Sequence, residues 1–184
     1  MSSPIRKLLK KIYNFLLDPF ERKKPADPVI QVPNEDFFPN VIEDLNKGES
    51  VTIPVKGFSM LPYIRGMRDW VELKKMDSYG VGDIVLFRHV NRYVMHRIIR
   101  IDGQRIIIQG DGVARNVEIV TQEAIFGKAI HIYPDGKLSQ PIDPDEPKLL
   151  ARALRWHRRP SWYRALWLRC YRFSPWNYIW LRHQ

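Results

Sequence analysis

Ser59, His96 and Asp111 have the side-chain types that acyl transfer uses: a hydroxyl, an imidazole and a carboxylate. A serine hydroxyl is a weak nucleophile near neutral pH and needs a base within hydrogen-bond reach, which in turn needs a group to orient it. Ser59 stands in Gly57-Phe58-Ser59-Met60-Leu61-Pro62, directly after a β-rich run. Gly57 loosens a turn there, and Met60 and Pro62 brace it. Such a turn exposes the hydroxyl while backbone N–H groups converge nearby, the start of an oxyanion hole. His96 lies in the alternating stretch 93–101, where Val94, His96 and Ile98 share one face. Apolar neighbours on that face favour the neutral imidazole, the form that acts as a base. Asp111, in the glycine-flanked Gly110-Asp111-Gly112, is the candidate to orient it. Each signal also has a bland reading, as a loop serine, a strand histidine and an ordinary Gly-Asp turn. His131, on a later strand, is the reserve base. His89 at a hairpin end, and His157 and His183 in a basic tail, have poorer claims.

The elements that must position these residues are mostly strands. Between Ser50 and Leu138 the sequence has β-rich runs at 51–56, 70–74, 83–88, 93–101, 104–109 and 128–133. A turn near Asn91 and the Asp102-Gly103 pair join successive strands as hairpins. A short helix is expected over 36–46, closed by Gly48. The fold class expected is mainly β, with helical extensions at both ends. Residues 1–34 divide into an amphipathic helix over 5–20 and a proline-rich linker, and 35–139 form the β-rich core. Residues 140–184 hold a second linker and a basic tail that Pro160 and Pro175 cut into short helical pieces.

Five short boxes occur in order: Gly57–Pro62, Gly82-Asp83-Ile84-Val85, His96-Arg97-Ile98-Ile99, Gly110-Asp111-Gly112 and Gly127-Lys128-Ala129. Together they resemble the serine peptidase superfamily that joins type I signal peptidases to self-cleaving SOS-type repressors. The resemblance covers residues 50–130. It implies a mixed β-fold with little helix, a nucleophile at Ser59 and a general base in the box that holds His96. Most bacterial signal peptidases and the repressors carry Lys at that base; His96 is similar to the endoplasmic-reticulum and archaeal type. In that type an Asp in a Gly-Asp box supports the Ser-His pair, and Asp111 fits the box. Two positions depart from the pattern. Gly57 stands where signal peptidases often have a Ser that donates to the oxyanion. Asn116 and Glu118 stand where the endoplasmic-reticulum type has a second Asp.

The activity the resemblance implies is a serine endopeptidase that cleaves signal or leader peptides with small residues before the cut. Two other classes remain open: a self-cleaving regulator, and a non-catalytic β-platform that binds a partner. Residues 1–49 are too short and proline-broken for a helix-turn-helix domain, and no Ala-Gly pair lies upstream of Ser59, which weighs against the regulator.

Charge separates the ends from the middle. The net charge is +10, but residues 31–147 carry fourteen Lys/Arg against seventeen acids, whereas 148–184 carry nine and no acid. The cations therefore lie outside the expected core, and no specific nucleic-acid partner is expected. Five of the six Trp lie in that basic tail, a composition suited to an anionic membrane surface or a partner protein. The alternative is that the tail folds back over the core. One cysteine, Cys170, leaves no disulfide framework or cysteine metal cluster, and no metal or organic cofactor is expected. No run approaches the roughly 18 apolar residues of a spanning helix, and no secretory signal is evident at the N-terminus. Peripheral association on the cytoplasmic side is the expected location.

Overall fold

The computed structural model describes residues 34–90 and 92–173. The helix expected over 5–20, most of the first linker, Asn91 and the tail beyond Phe173, with Pro175, Trp176, Trp180 and His183, lie outside the described residues. One compact unit runs from Pro33 to Arg172.

The unit is mainly β. Helix α1 (Asn34–Asn46) leads to strands β1 (Val51–Pro54), β2 (Trp70–Lys74), β3 (Ile84–His89), β4 (Arg92–Asp102), β5 (Arg105–Gln109), β6 (Glu118–Val120) and β7 (Ile125–Tyr133). Helices α2 (Pro147–His157) and α3 (Ser161–Phe173) follow. All seven strands join one sheet in the order β1-β2-β7-β3-β4-β5-β6, and every pairing is antiparallel. His89 pairs with Arg92 and Asp102 with Arg105, so both hairpins turn on two residues.

The central strand β3 explains how the core is organised. Ile84, Val85, Leu86 and Phe87 are all buried, a continuous apolar run rather than an alternating one. Ile84 and Leu86 join a cluster with Leu45, Ile53, Tyr63, Ile64, Val71, Leu73 and Ala153. Val85 and Phe87 point the other way, into a cluster with Ile98, Ile106, Ile108, Val120 and Ile125. The sheet thus separates two apolar cores, and each fully buried Leu, Ile or Phe contributes roughly 1.5–3 kcal/mol.

The part of the basic tail up to Arg172 packs within this unit. Glu146 caps α2 by accepting from the Leu149 N–H at 2.8 Å, with Pro147 in the first turn. Helix α2 buries Ala153 in the first cluster. Helix α3 turns Arg164, Leu168 and Tyr171 inward, at spacings of four and three. Trp156 and Trp167 meet edge to face at 5.0 Å, and Trp167 stacks on Tyr171 at 4.9 Å. The tail's inward face is therefore a cover for the core. The Asp111 carboxylate, in the loop after β5, meets His157 of α2.

Candidate active site

Ser59 lies half-buried in the loop between β1 and β2. That loop is pinned at its base: Val55 donates to the Asp69 carbonyl at 3.0 Å, and Met67 donates to the Val55 carbonyl at 2.7 Å. The buried Asp69 carboxylate accepts from the Arg65 N–H at 2.7 Å and from its guanidinium at 2.6 Å. Gly57 takes φ +80°, a conformation that costs a side-chain-bearing residue strain. Gly66 packs against the Gly57 backbone so closely that a Cβ there would overlap the Gly57 carbonyl. Two glycines therefore cross at the neck of the loop, two residues before Ser59.

The Gly110-Asp111-Gly112 segment forms the opposite wall. The Gly112 N–H donates to the Ser59 carbonyl at 2.7 Å. A Cβ on Gly112 would come within 2.4 Å of the Phe58 carbonyl oxygen, and one on Gly110 within 2.5 Å of the Ser59 carbonyl oxygen. The two glycines thus serve close backbone approach, and any side chain at either position pushes the Ser59 loop away.

His96 sits on β4 opposite Val85, with 4% of its surface exposed. As the alternation predicts, it shares a face with Val94 and Ile98, all against the second cluster, and its ring lies 6.1 Å from that of Phe87. Its Nδ1 lies 3.2 Å from Glu118 Oε2 on β6. Its Nε2 is buried and has no hydrogen-bond partner among the described residues. That nitrogen lies 2.9 Å from where a Gly110 Cβ would stand, the same point that is 2.5 Å from the Ser59 carbonyl oxygen. The structure therefore brings His96 Nε2 beside the Ser59 segment, across the bare Cα of Gly110. No Ser59 Oγ–His96 hydrogen bond is formed among the described residues.

The Asp111 carboxylate is not bonded to His96, whose Nδ1 meets Glu118. The Asp111 carboxylate is fully buried and turned to the other face of β4, where Arg97 holds it through Nε at 3.0 Å and Nη2 at 2.8 Å. His157 of α2 completes its shell, with Nε2 at 2.6 Å from Oδ1. The physical reason is strand parity: His96 and Arg97 are neighbours on β4 and must point to opposite faces. Burial acts to raise the Asp111 pKa, but the Arg97 charge and the His157 and Arg97 hydrogen bonds outweigh it and hold the carboxyl below its ordinary value. Arg97 also donates to the Gly82 carbonyl at 2.8 Å and lies over the Tyr63 ring. Burial, with Asp111 nearby, pushes the Tyr63 hydroxyl up to about 12.

The reserve base lies elsewhere. His131 Nδ1 is 3.0 Å from Glu72 Oε2, in a half-exposed cluster with Tyr133 and Ser50, whose hydroxyls donate to Glu72 at 2.6 Å. Those bonds, led by that from Ser50, hold the Glu72 carboxyl down to about 2. His89 is exposed at the end of β3.

The residue that sequence reasoning passed over is Glu118 as the partner of His96. Its signal was present: an acid in the β-branched run 117–120, in place of a second Asp after the Gly-Asp box. Gly66 and Arg97 carried no comparable signal. Among the described residues, no group of three or more His, Cys, Asp or Glu is arranged to hold a metal ion, and no helix is long and apolar enough to cross a membrane. No protein-family model matches the chain, and no curated protein matches it.

Proposed function

We propose that the chain is a serine endopeptidase in which Ser59 is the nucleophile, His96 the general base and Glu118 the group that orients His96. The observation that carries this reading is the His96 imidazole: buried, tied to a carboxylate through Nδ1, and presenting an unpartnered Nε2 to the Ser59 segment. A buried polar atom without a partner costs roughly 1–3 kcal/mol, a cost that a hydrogen bond from the Ser59 hydroxyl would relieve at Nε2. In the proposed reaction Nε2 takes the Ser59 proton as Oγ attacks the substrate carbonyl carbon. It then returns that proton to the leaving amine, and water hydrolyses the resulting ester. The Ser59 and Met60 amides are the proposed oxyanion donors, since among the described residues no backbone carbonyl outside the regular elements accepts from either.

The substrate class follows from the resemblance: an extended signal or leader peptide with small residues before the cut. Peripheral contact with an anionic membrane surface belongs to the same proposal. Trp162 (65% exposed) and Leu166 (57% exposed) lie on the outer face of α3 beside the exposed Arg169, and Arg158 and Arg159 are exposed just before it. A library of peptides incubated with the wild-type chain and Ser59→Ala, with products mapped by mass spectrometry, tests the activity. Defined cuts that vanish in Ser59→Ala support it, and cuts that persist in Ser59→Ala overturn it.

A further inference from the structure

The five residues from Gln109 to Val113 form a wall with two sides. On one side Gly110 and Gly112 press their bare backbone on Phe58 and Ser59, and the Gly112 N–H holds the Ser59 carbonyl. On the other side Gln109, Asp111 and Val113 are each held by a side chain from helices α2 and α3. Arg164 of α3 donates to Gln109 Oε1 at 3.0 Å and to the Val113 carbonyl at 2.6 Å. Trp156 of α2 donates through Nε1 to the Asp111 carbonyl at 2.7 Å. His157 bridges the group, with Nε2 2.6 Å from Asp111 Oδ1 and Nδ1 3.0 Å from Gln109 Oε1.

The Gln109 amide orientation is fixed by its neighbours. Its Nε2 donates to the Asn116 carbonyl at 3.1 Å, and its oxygen takes the Arg164 guanidinium. His157 therefore faces an acceptor on each side, the Gln109 oxygen at Nδ1 and the Asp111 carboxylate at Nε2. The side chains are buried: Arg164 is 3% exposed and the His157 side chain 6%.

We infer that the α2–α3 hairpin is a positioning element for the Ser59 segment, with His157 as its central positioning residue. The inference rests on the peptidase reading for its catalytic consequence, but its mechanical part stands apart from it. His157, Trp156 and Arg164 hold the wall from behind, and the two glycines transmit that position to Ser59 by contact. Loosening the clasp lets the wall recede, lengthens the Gly112–Ser59 hydrogen bond and moves the Ser59 hydroxyl relative to His96. Displacements on the order of 1 Å at a reacting centre cost about a hundredfold in rate.

The full-length chain tests this with three variants. His157→Ala removes both contacts, His157→Gln keeps a donor near the Nε2 position, and Trp156→Phe deletes only the donor to the Asp111 carbonyl. Each is measured for the rate of Ser59 acylation by a fluorophosphonate probe, for amide hydrogen exchange in 110–113, and for its urea midpoint. The expected result for His157→Ala is acylation slowed by roughly 10–100-fold and faster exchange in 110–113. His157→Gln should restore most of the rate, which loss of packing alone would not permit. Should His157→Ala fail to fold, Trp156→Phe still decides, since loss of the Trp156 donor should speed exchange at Gly112. Wild-type acylation rates and wild-type exchange in His157→Ala and Trp156→Phe overturn the inference. A wild-type chain that is not acylated at all overturns the peptidase reading instead; exchange at 110–113 then decides the clasp alone, rising in His157→Ala and Trp156→Phe if it holds and unchanged if it does not.

Discussion

The two faces of β4 treat adjacent residues in opposite ways. Arg97 spends its guanidinium on Asp111 and the Gly82 carbonyl, and Asp111 in turn takes Arg97 and His157. His96, one residue earlier, has one carboxylate partner and one buried nitrogen with none. Both faces are buried, so burial does not distinguish them. Their partners do: Arg97 and Asp111 are tied into a network of charges that holds shape, whereas one His96 nitrogen stands open beside the Ser59 segment. In the proposed reaction the Arg97 face is structural and the His96 face chemical.

Several substitutions sharpen or break that contrast. The largest effect is expected on the chemical face. Ser59→Ala and His96→Ala should each lower the peptide-cleavage rate by roughly 10³–10⁴-fold, while the urea midpoint stays near wild type. A His96→Ala chain that cuts normally would end the distinction. The structural face should respond in stability. Asp111→Ala leaves Arg97 buried without its charge partner and should cost about 3–5 kcal/mol by urea unfolding. An unchanged unfolding free energy would show that the network holds nothing.

Glu118→Gln is the intermediate case. It should lower the cleavage rate about 10²-fold, the low end of what a positioned base contributes, with the fold intact. Loss of stability with unchanged activity would move Glu118 to the structural class.

The smallest effect belongs to a third region, the Glu72 cluster. Its carboxyl is held down to about 2 against an ordinary 4.5, so its bonds stabilise the fold above the unfolded value and are lost as pH falls towards 2. Asp111, also held below its ordinary value, adds to stability in the same sense. Urea midpoints measured from pH 7 to pH 2 should fall on acidification. Glu72→Gln should flatten the part of that fall below about pH 4.5 and leave the Asp111 part in place. Identical profiles in the two chains would remove Glu72 from the account.

The strands were legible because local chemistry dictates them. The β-branched runs, the alternation around His96 and the Asp102-Gly103 turn placed β2 to the residue and β3, β4 and β5 within a residue or so at each end. Strand β1 stops at Pro54, short of the expected 56, and β7 starts three residues earlier than expected. Strand β6, three residues long, was too short for periodicity to reveal. The nearness of the Ser59 and His96 segments was legible but the partners of Asp111 were not, since a Gly-Asp-Gly turn does not say which face its carboxylate will choose. The docking of the tail was illegible for a related reason. His157 and Arg164 find Asp111 and Gln109 some fifty residues upstream, and no local pattern records so distant a partner.

The most direct measurement is covalent labelling of the purified full-length chain with a fluorophosphonate, read by intact mass and peptide mapping, beside His96→Ala. The account expects one adduct, on Ser59, formed by the wild type and lost in His96→Ala. A folded wild-type chain that stays unmodified across fluorophosphonates of differing size, or an adduct that forms equally fast without His96, would contradict it.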